Sequence, residues 1–150
     1  MKAVLQRVAY ARVRVAGEVV GEVGPGLLVL LGVMDGDGES NLAELVDRVT
    51  GYRVFPDEAG RMNRSLLDRR AAGEPAGVLV VSQFTLAADG RKGRRPSFDR
   101  AAKPELAEPL YEAFCSALRE QGLEVAQGRF GAEMEVELLN LGPATFLLER

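Results

Sequence analysis

Gly24-Pro25-Gly26-Leu27-Leu28-Val29-Leu30-Leu31-Gly32-Val33 is the stretch that decides the fold. A tight Gly-Pro-Gly turn leads into an apolar run of strand length, and a run without polar alternation suits a strand covered on both faces. The central strand is therefore expected at Leu27–Val33. The longest apolar stretch, Gly26 to Met34, is about half of the ~20 residues a membrane helix needs, so no membrane span is expected.

Outward toward the N-terminus, residues 2–8 and 12–15 alternate and carry Val, Gly17 marks a turn, and Glu18–Val23 alternates again. These stretches read as strands of a meander. The opening MKAVLQRV reads as a strand and not a signal peptide, because Gln6 and Arg7 interrupt its apolar run. Outward toward the C-terminus, Asp35–Gly38 is an acidic turn. Ser40 or Asn41 can cap a helix with Leu42, Leu45, Val46 and Val49 on one face, ending near Gly51.

Tyr52–Phe55 reads as a short strand, and Pro56–Gly60 as a turn before Met62–Leu67. The polar, glycine-containing stretch Asp68–Gly77 reads as a loop. Val78–Phe84 is a second strongly apolar strand that opens into a basic loop from Ala87 to Pro96. A helix is expected from Pro104 to about Gln121, with Pro109 kinking it or moving its start. Strands are expected at 123–126, 133–139 and 144–149, with Gly142-Pro143 as the break between the last two. Two main helices among so many strands are too few for a doubly wound sheet. The fold class is α+β, a mixed sheet or barrel-like arrangement, and 150 residues suit a single domain over 1–150.

Hydrophobic residues make up 47% and charged residues 27%, which excludes a disordered composition. The chain has no histidine and one cysteine. That excludes a conventional Ser-His-Asp triad, an internal disulfide and the Cys/His zinc frameworks, so neither metal nor cofactor is expected. Cys115 lies among apolar residues at helical spacing and reads as a buried structural thiol in a cytoplasmic protein. The net charge is −3, yet Arg91, Lys92, Arg94, Arg95, Arg100 and Lys103 face only Asp99 between positions 91 and 103. The rest of the chain thus carries about −8, and this one basic segment suits a polyanion such as RNA or a nucleotide end. A solvated loop paired with the acidic surface is the alternative reading.

Two segments carry the chemistry. In Ser82-Gln83-Phe84-Thr85-Leu86, an extended backbone would turn Ser82 and Phe84 one way and Gln83 and Thr85 the other, around a strand end with unpaired N–H groups that can hold an oxyanion. The alternative is a strand end with local hydroxyl-to-backbone bonds. A hydroxyl nucleophile here would need Lys92, a carboxylate such as Asp89, or an N-terminal amine as its base. In Asn140-Leu141-Gly142-Pro143-Ala144-Thr145, glycine before proline leaves a strip without a side chain and two carbonyls that a ligand can approach closely. A plain β-turn is the alternative.

With Gln6-Arg7-Val8, Asp89, Arg91-Lys92-Gly93, Arg95-Pro96-Ser97-Phe98, Phe130-Gly131-Ala132 and Met134, these two segments resemble the D-aminoacyl-tRNA deacylase family over the full length of the chain. The resemblance implies a homodimer that hydrolyses the ester joining a D-amino acid, or glycine on tRNA-Ala, to the 3′ end of aminoacyl-tRNA. It implies that Ser82, Gln83, Phe84 and Thr85 form the catalytic pocket wall. Gly142 and Pro143, joined by a cis bond, would enter the other subunit's site and exclude L side chains. Arg7, Met134, Asn140 and Thr145 are implied as supporting residues, and Arg91, Lys92, Arg94 and Arg95 as RNA contacts. The ribose 2′-hydroxyl would assist catalysis. Ala87 and Gly90 depart from the family, which often has an aromatic and a hydroxyl residue there, implying an altered contact with the terminal adenosine. A non-catalytic tRNA-binding dimer and a Thr- or Ser-Lys esterase are the other readings.

Overall fold

One strand organises the sheet. In the structure, a computed structural model that describes residues 1–91 and 94–150, β1 runs unbroken from Lys2 to Val15 where the sequence suggested two stretches. One edge of β1 pairs antiparallel with β8 (Glu135–Glu149), from Lys2↔Glu149 to Arg14↔Glu135. The other edge is shared end to end by β3 (Gly26–Gly32), which pairs with residues 2–8, and β2 (Glu18–Val23), which pairs with residues 11–15. The expected meander is thereby corrected: β3 pairs with β1, not β2. The reason is length, since β1 outruns its hairpin partner and leaves its N-terminal half open to β3.

On the far side of β3 lies β6 (Gly77–Ser82), parallel to it, and then β7 (Val125–Gln127), parallel to β6. Parallel neighbours need crossover connections. The first is made by α1 (Glu39–Gly51), the small hairpin β4 (Phe55–Pro56) and β5 (Met62–Arg64), and α2 (Leu66–Ala71). The second contains a 3-10 turn (Phe84–Ala87) and α3 (Pro104–Glu120). β2 curls toward β7 so closely that a Cβ on Gly21 would stand 2.3 Å from the Gln127 carbonyl oxygen. The mixed α+β fold therefore carries a nearly closed, barrel-like sheet.

Both faces of the middle strands are covered. Leu27, Val29, Leu31, Val78 and Val80 meet Leu45, Val49, Phe114 and Leu118 of α1 and α3. Leu28, Leu79 and Val81 point the other way, against Val8, Val13 and Val23 inside the curled sheet. This is why β3 and β6 are apolar at nearly every position.

Three further expectations change. Among the described residues there are three α-helices and not two: Leu66–Ala71 begins inside the expected Met62–Leu67 segment and occupies part of the expected loop. Its signal is a capping box, with Ser65 Oγ accepting from the Asp68 N–H at 3.1 Å and the Ser65 N–H donating to Asp68 Oδ2 at 2.8 Å. The N-cap of α1 is Gly38, whose N–H donates to Asn41 Oδ1 at 3.1 Å, so Asn41 helps from inside the helix. Finally, β6 ends at Ser82, and β8 is one strand across the expected break. That break survives as a bulge: Thr145 pairs with Gln6 and Asn140 with Val8, leaving residues 141–144 looped out opposite Arg7 alone.

Candidate active site

The end of β6 is pinned by the Gln83 N–H, which donates to the Leu31 carbonyl of β3 at 2.7 Å. The chain then turns tightly, with the Leu86 N–H donating to Gln83 O at 3.2 Å and the Ala88 N–H to Thr85 O at 3.0 Å. This corrects the extended alternation expected for Ser82 to Thr85, because Phe84 and Thr85 open a 3-10 turn. The first N–H groups of such a turn have no acceptor within it. Among the described residues no other backbone carbonyl accepts from Phe84 or Thr85. The Gln83 side chain donates through Nε2 to Thr85 Oγ1 at 2.6 Å. Phe84 is 56% exposed and packs edge-on against Phe98, with ring centroids 5.0 Å apart.

Against this turn lies a cleft of about 480 Å³. Ser82, Gln83 and Phe84 line one side, and Phe130, Gly131, Ala132 and Met134 also line it. The remaining lining, from Val33, Val81, Ala101, Ala102, Pro104, Ala107 and Val136, is apolar, so among the described residues no lining side chain carries an ionisable group. Met134 lies tightly over Gly128, where a Cβ would stand 2.7 Å from its sulfur. Thr85 is exposed and outside the lining. The alanines at 101, 102 and 107 were not singled out from the sequence, since nothing distinguishes a small apolar lining residue from a small apolar core residue.

Of the bases considered for a hydroxyl nucleophile, Lys92 lies outside the described residues. Asp89 is bound by its neighbour: Arg91 Nε donates to Asp89 Oδ1 at 3.0 Å, and Arg91 Nη2 lies 2.5 Å from Oδ2. These hydrogen bonds to Arg91 hold the Asp89 carboxyl down at about 2, a poor base at neutral pH. Asp89 and Ser97 also exchange backbone hydrogen bonds of 2.8 and 3.1 Å, closing the loop that exposes Arg91, Arg94 and Arg95. Cys115 is buried in the core, and desolvation pushes its thiol up to about 12.

The second motif lies elsewhere. The Gly142-Pro143 bond is cis, and Gly142 has φ +132°, a region that L side chains rarely adopt. Arg7 holds the bulge from beneath, donating from Nε to Leu141 O at 3.1 Å and from Nη1 to Val54 O at 2.6 Å. Asn140 ties its neck: Asn140 Oδ1 accepts from the Ala144 N–H at 2.7 Å, and Asn140 Nδ2 donates to Thr145 Oγ1 at 3.1 Å. Leu141, Gly142 and Pro143 are exposed. Within one chain the bulge stands three strands across and four residues along from Ser82. That is on the order of 20 Å, at about 3.3 Å per residue and about 4.8 Å per strand. Ser82, Gln83, Phe84 and Met134 therefore share one cleft, while Arg7, Asn140, Gly142, Pro143 and Thr145 form a separate cluster.

Comparison with known proteins gives a consistent answer. The family model described as D-Tyr-tRNA(Tyr) deacylase matches residues 4–149. A D-aminoacyl-tRNA deacylase of Idiomarina loihiensis is 56% identical over 149 residues, covering 99% of each chain. One from Symbiobacterium thermophilum is also 56% identical, covering 99% of this chain and 95% of its own. Among solved structures, the c-Myc DNA Unwinding Element Binding Protein superposes with a TM-score of 0.91 at 40% identity, covering 100% of this chain and 99% of its own. A probable eukaryotic D-amino acid tRNA deacylase shares the fold, with a TM-score of 0.83 at 19% identity over 99% of this chain and 98% of its own.

Proposed function

The chain belongs to the D-Tyr-tRNA(Tyr) deacylase family and is a hydrolase of D-aminoacyl-tRNA, and from this premise we propose that the cleft beside Ser82–Phe84 is where the ester is cut, with the RNA supplying part of the catalyst. The observation that carries this reading is the absence of any ionisable side chain among the described residues that line the cleft. An aminoacyl ester is already activated, and the adjacent ribose 2′-hydroxyl can position or activate water. The protein then has to orient the ester and stabilise its oxyanion, a task suited to the unpaired N–H groups of Phe84 and Thr85. Thr85 shapes this turn and is not the nucleophile, in keeping with its bond from Gln83 and the low basicity of Asp89.

Chirality is read by the Gly142-Pro143 bulge of a second copy in a homodimer. The reading is supported by the bulge's distance from the cleft of its own chain and by its exposed, side-chain-poor backbone. The exposed Leu139, Leu141 and Leu147 on β8, whose outer edge has no partner strand among the described residues, would be covered in such a dimer. Glycine, lacking a side chain, passes the same barrier, so Gly-tRNA charged on tRNA-Ala is a second substrate. Arg91, Lys92, Arg94 and Arg95 contact RNA, and the protein works in the cytoplasm. Quality control of translation follows from hydrolysis limited to D-aminoacyl and glycyl esters.

Incubating the purified protein with D-Tyr-tRNA, L-Tyr-tRNA and Gly-tRNA tests the reading. Rapid release from the first and third with the second intact is expected, and equal rates for the two enantiomers would overturn it. The competing reading, a non-catalytic tRNA-binding dimer, draws on the exposed arginines at 91, 94 and 95 and predicts salt-sensitive binding with the aminoacyl ester left intact.

A further inference from the structure

A second cleft, of about 450 Å³, lies on the other side of the 3-10 turn from the candidate active site. The two clefts have walls only one residue apart in two places, Val33 and Met34, and Ala101 and Arg100, and they share the turn, whose Phe84 lines one and Ala87 the other. They differ in character. The first is apolar, whereas the second is lined by Lys2, Arg91 and Arg100 together with Asp89. Its small lining residues, Ala87, Ala88 and Gly90, leave the space between those charges open.

We propose that this cleft holds a backbone phosphate of the substrate RNA's 3′ end, with Arg100 as its main partner and Lys2 and Arg91 beside it. The inference rests on the function proposed above and adds a second contact point for the same substrate. Lys2 and Arg91 are fixed by carboxylates, Lys2 Nζ at 2.9 Å from Glu149 Oε1 and Arg91 Nη2 at 2.5 Å from Asp89 Oδ2. They are oriented, but their charge is compensated. Arg100 forms no ion pair among the described residues, so the cleft's excess positive charge resides there. Its influence reaches both carboxylates, since Asp89 and Glu149 are each lowered in part by the Arg100 charge.

The backbone of Arg100 is also held. Its carbonyl accepts from the Asp35 N–H at 2.9 Å, and Ala101 bridges to Met34 beyond the end of β3. A terminal nucleoside seated in the apolar cleft must send its 5′ phosphate out past the turn. The adjoining cleft is the neighbouring space with an uncompensated cation. A phosphate there neutralises Arg100 without displacing either existing ion pair, and a guanidinium suits phosphate geometry.

The test compares two D-tyrosyl esters, full-length D-Tyr-tRNA and the 2′(3′)-O-D-tyrosyl ester of adenosine, which has no phosphate. Arg100→Gln should raise KM for the tRNA by at least about tenfold, the effect expected for one charge-assisted contact. It should also flatten the slope of log(kcat/KM) against log[salt] by about 0.7, the share of one single-stranded phosphate. Arg100→Lys should recover most of the loss, and Lys2→Gln should give a smaller effect in the same direction. Arg48→Gln on α1 is the charge-matched control. Equal losses on both esters, an unchanged salt slope, or an Arg48→Gln effect as large as that of Arg100→Gln would overturn the proposal. If the wild-type protein hydrolyses neither ester, the function proposed above has failed. Salt-dependent binding of uncharged tRNA by the same variants then decides the phosphate site alone.

Discussion

The Gln83 amide donates to the Thr85 hydroxyl oxygen at 2.6 Å, across the first step of the 3-10 turn. This bond occupies a lone pair on the atom that a nucleophilic mechanism would use, and it directs the hydroxyl proton away from Gln83.

Replacing Thr85 with Val should therefore lower kcat for D-Tyr-tRNA by less than about 100-fold, whereas loss of a true nucleophile costs about 10⁶-fold in a serine protease. Rapid-quench kinetics with mass spectrometry should find no acyl-enzyme on the wild type. An acyl adduct on Thr85 would reverse the assignment.

Gly142→Ala should act on both stability and selectivity. At φ +132° an alanine is strained, and its Cβ would stand 3.0 Å from Arg7 Nη2 and from the Ala144 nitrogen. A loss of about 1–3 kcal/mol in urea unfolding is expected. The discrimination between D- and Gly-tRNA on one hand and L-tRNA on the other should shrink as the bulge shifts. In a mixture with a cleft variant such as Phe84→Ala, discrimination should recover where the intact cleft of one subunit meets the intact bulge of the other.

Arg7→Met keeps the aliphatic stem and removes the donors to Leu141 O and Val54 O. The bond to Val54 O is partly buried and charge-assisted, worth about 1.5–3 kcal/mol, while the exposed bond to Leu141 O is worth less. A lower Tm and a rise in L-Tyr-tRNA hydrolysis should appear together, and a Tm change without a change in selectivity would detach Arg7 from the bulge's function.

Alkaline titration has a definite sign. Burial raises the Cys115 thiol to about 12 and raises the Tyr111 hydroxyl, which donates to Val80 O at 3.0 Å. A group whose pKa is higher in the folded state contributes stability that is complete below its unfolded pKa and is lost as pH rises toward the folded value. The Tm should be level from pH 6.5 to about 8.5 and fall between about 9 and 12. Cys115→Ala should move the start of that fall upward, and the wild-type thiol should resist a disulfide reagent at pH 8 until the protein is unfolded.

The sequence was most legible where burial is two-sided. The expected strands Leu27–Val33 and Val78–Phe84 largely coincide with Gly26–Gly32 and Gly77–Ser82, because their apolar runs suit burial on both faces. Pairing was harder to read: β3 joins β1 through the excess length of β1, a property of the sheet and not of either segment. The helix at Leu66–Ala71 was hidden by its polar exposed face, although Ser65 and Asp68 carried its capping signal. At the site, Ser82–Phe84 and Met134 could be named from motifs, but the turn after Ser82 could not, since Phe84 and Thr85 are as suitable for a strand as for a 3-10 turn. The cations of the adjoining cleft could not be paired from sequence either, because Lys2 opens β1 whereas Arg100 lies in the loop before α3, most of the chain's elements later.

The anchoring of Gln83 N–H to Leu31 O places the reactive surface under the control of the core. If main-chain groups perform the work, truncating a side chain in the wall cannot delete them, and only proline, which has no N–H, would. Inactivating changes would instead be expected among buried residues such as Leu31 and Val81, whose loss would let β6 slide against β3. Tolerance at the surface and intolerance in the interior would then be the mutational signature of this enzyme.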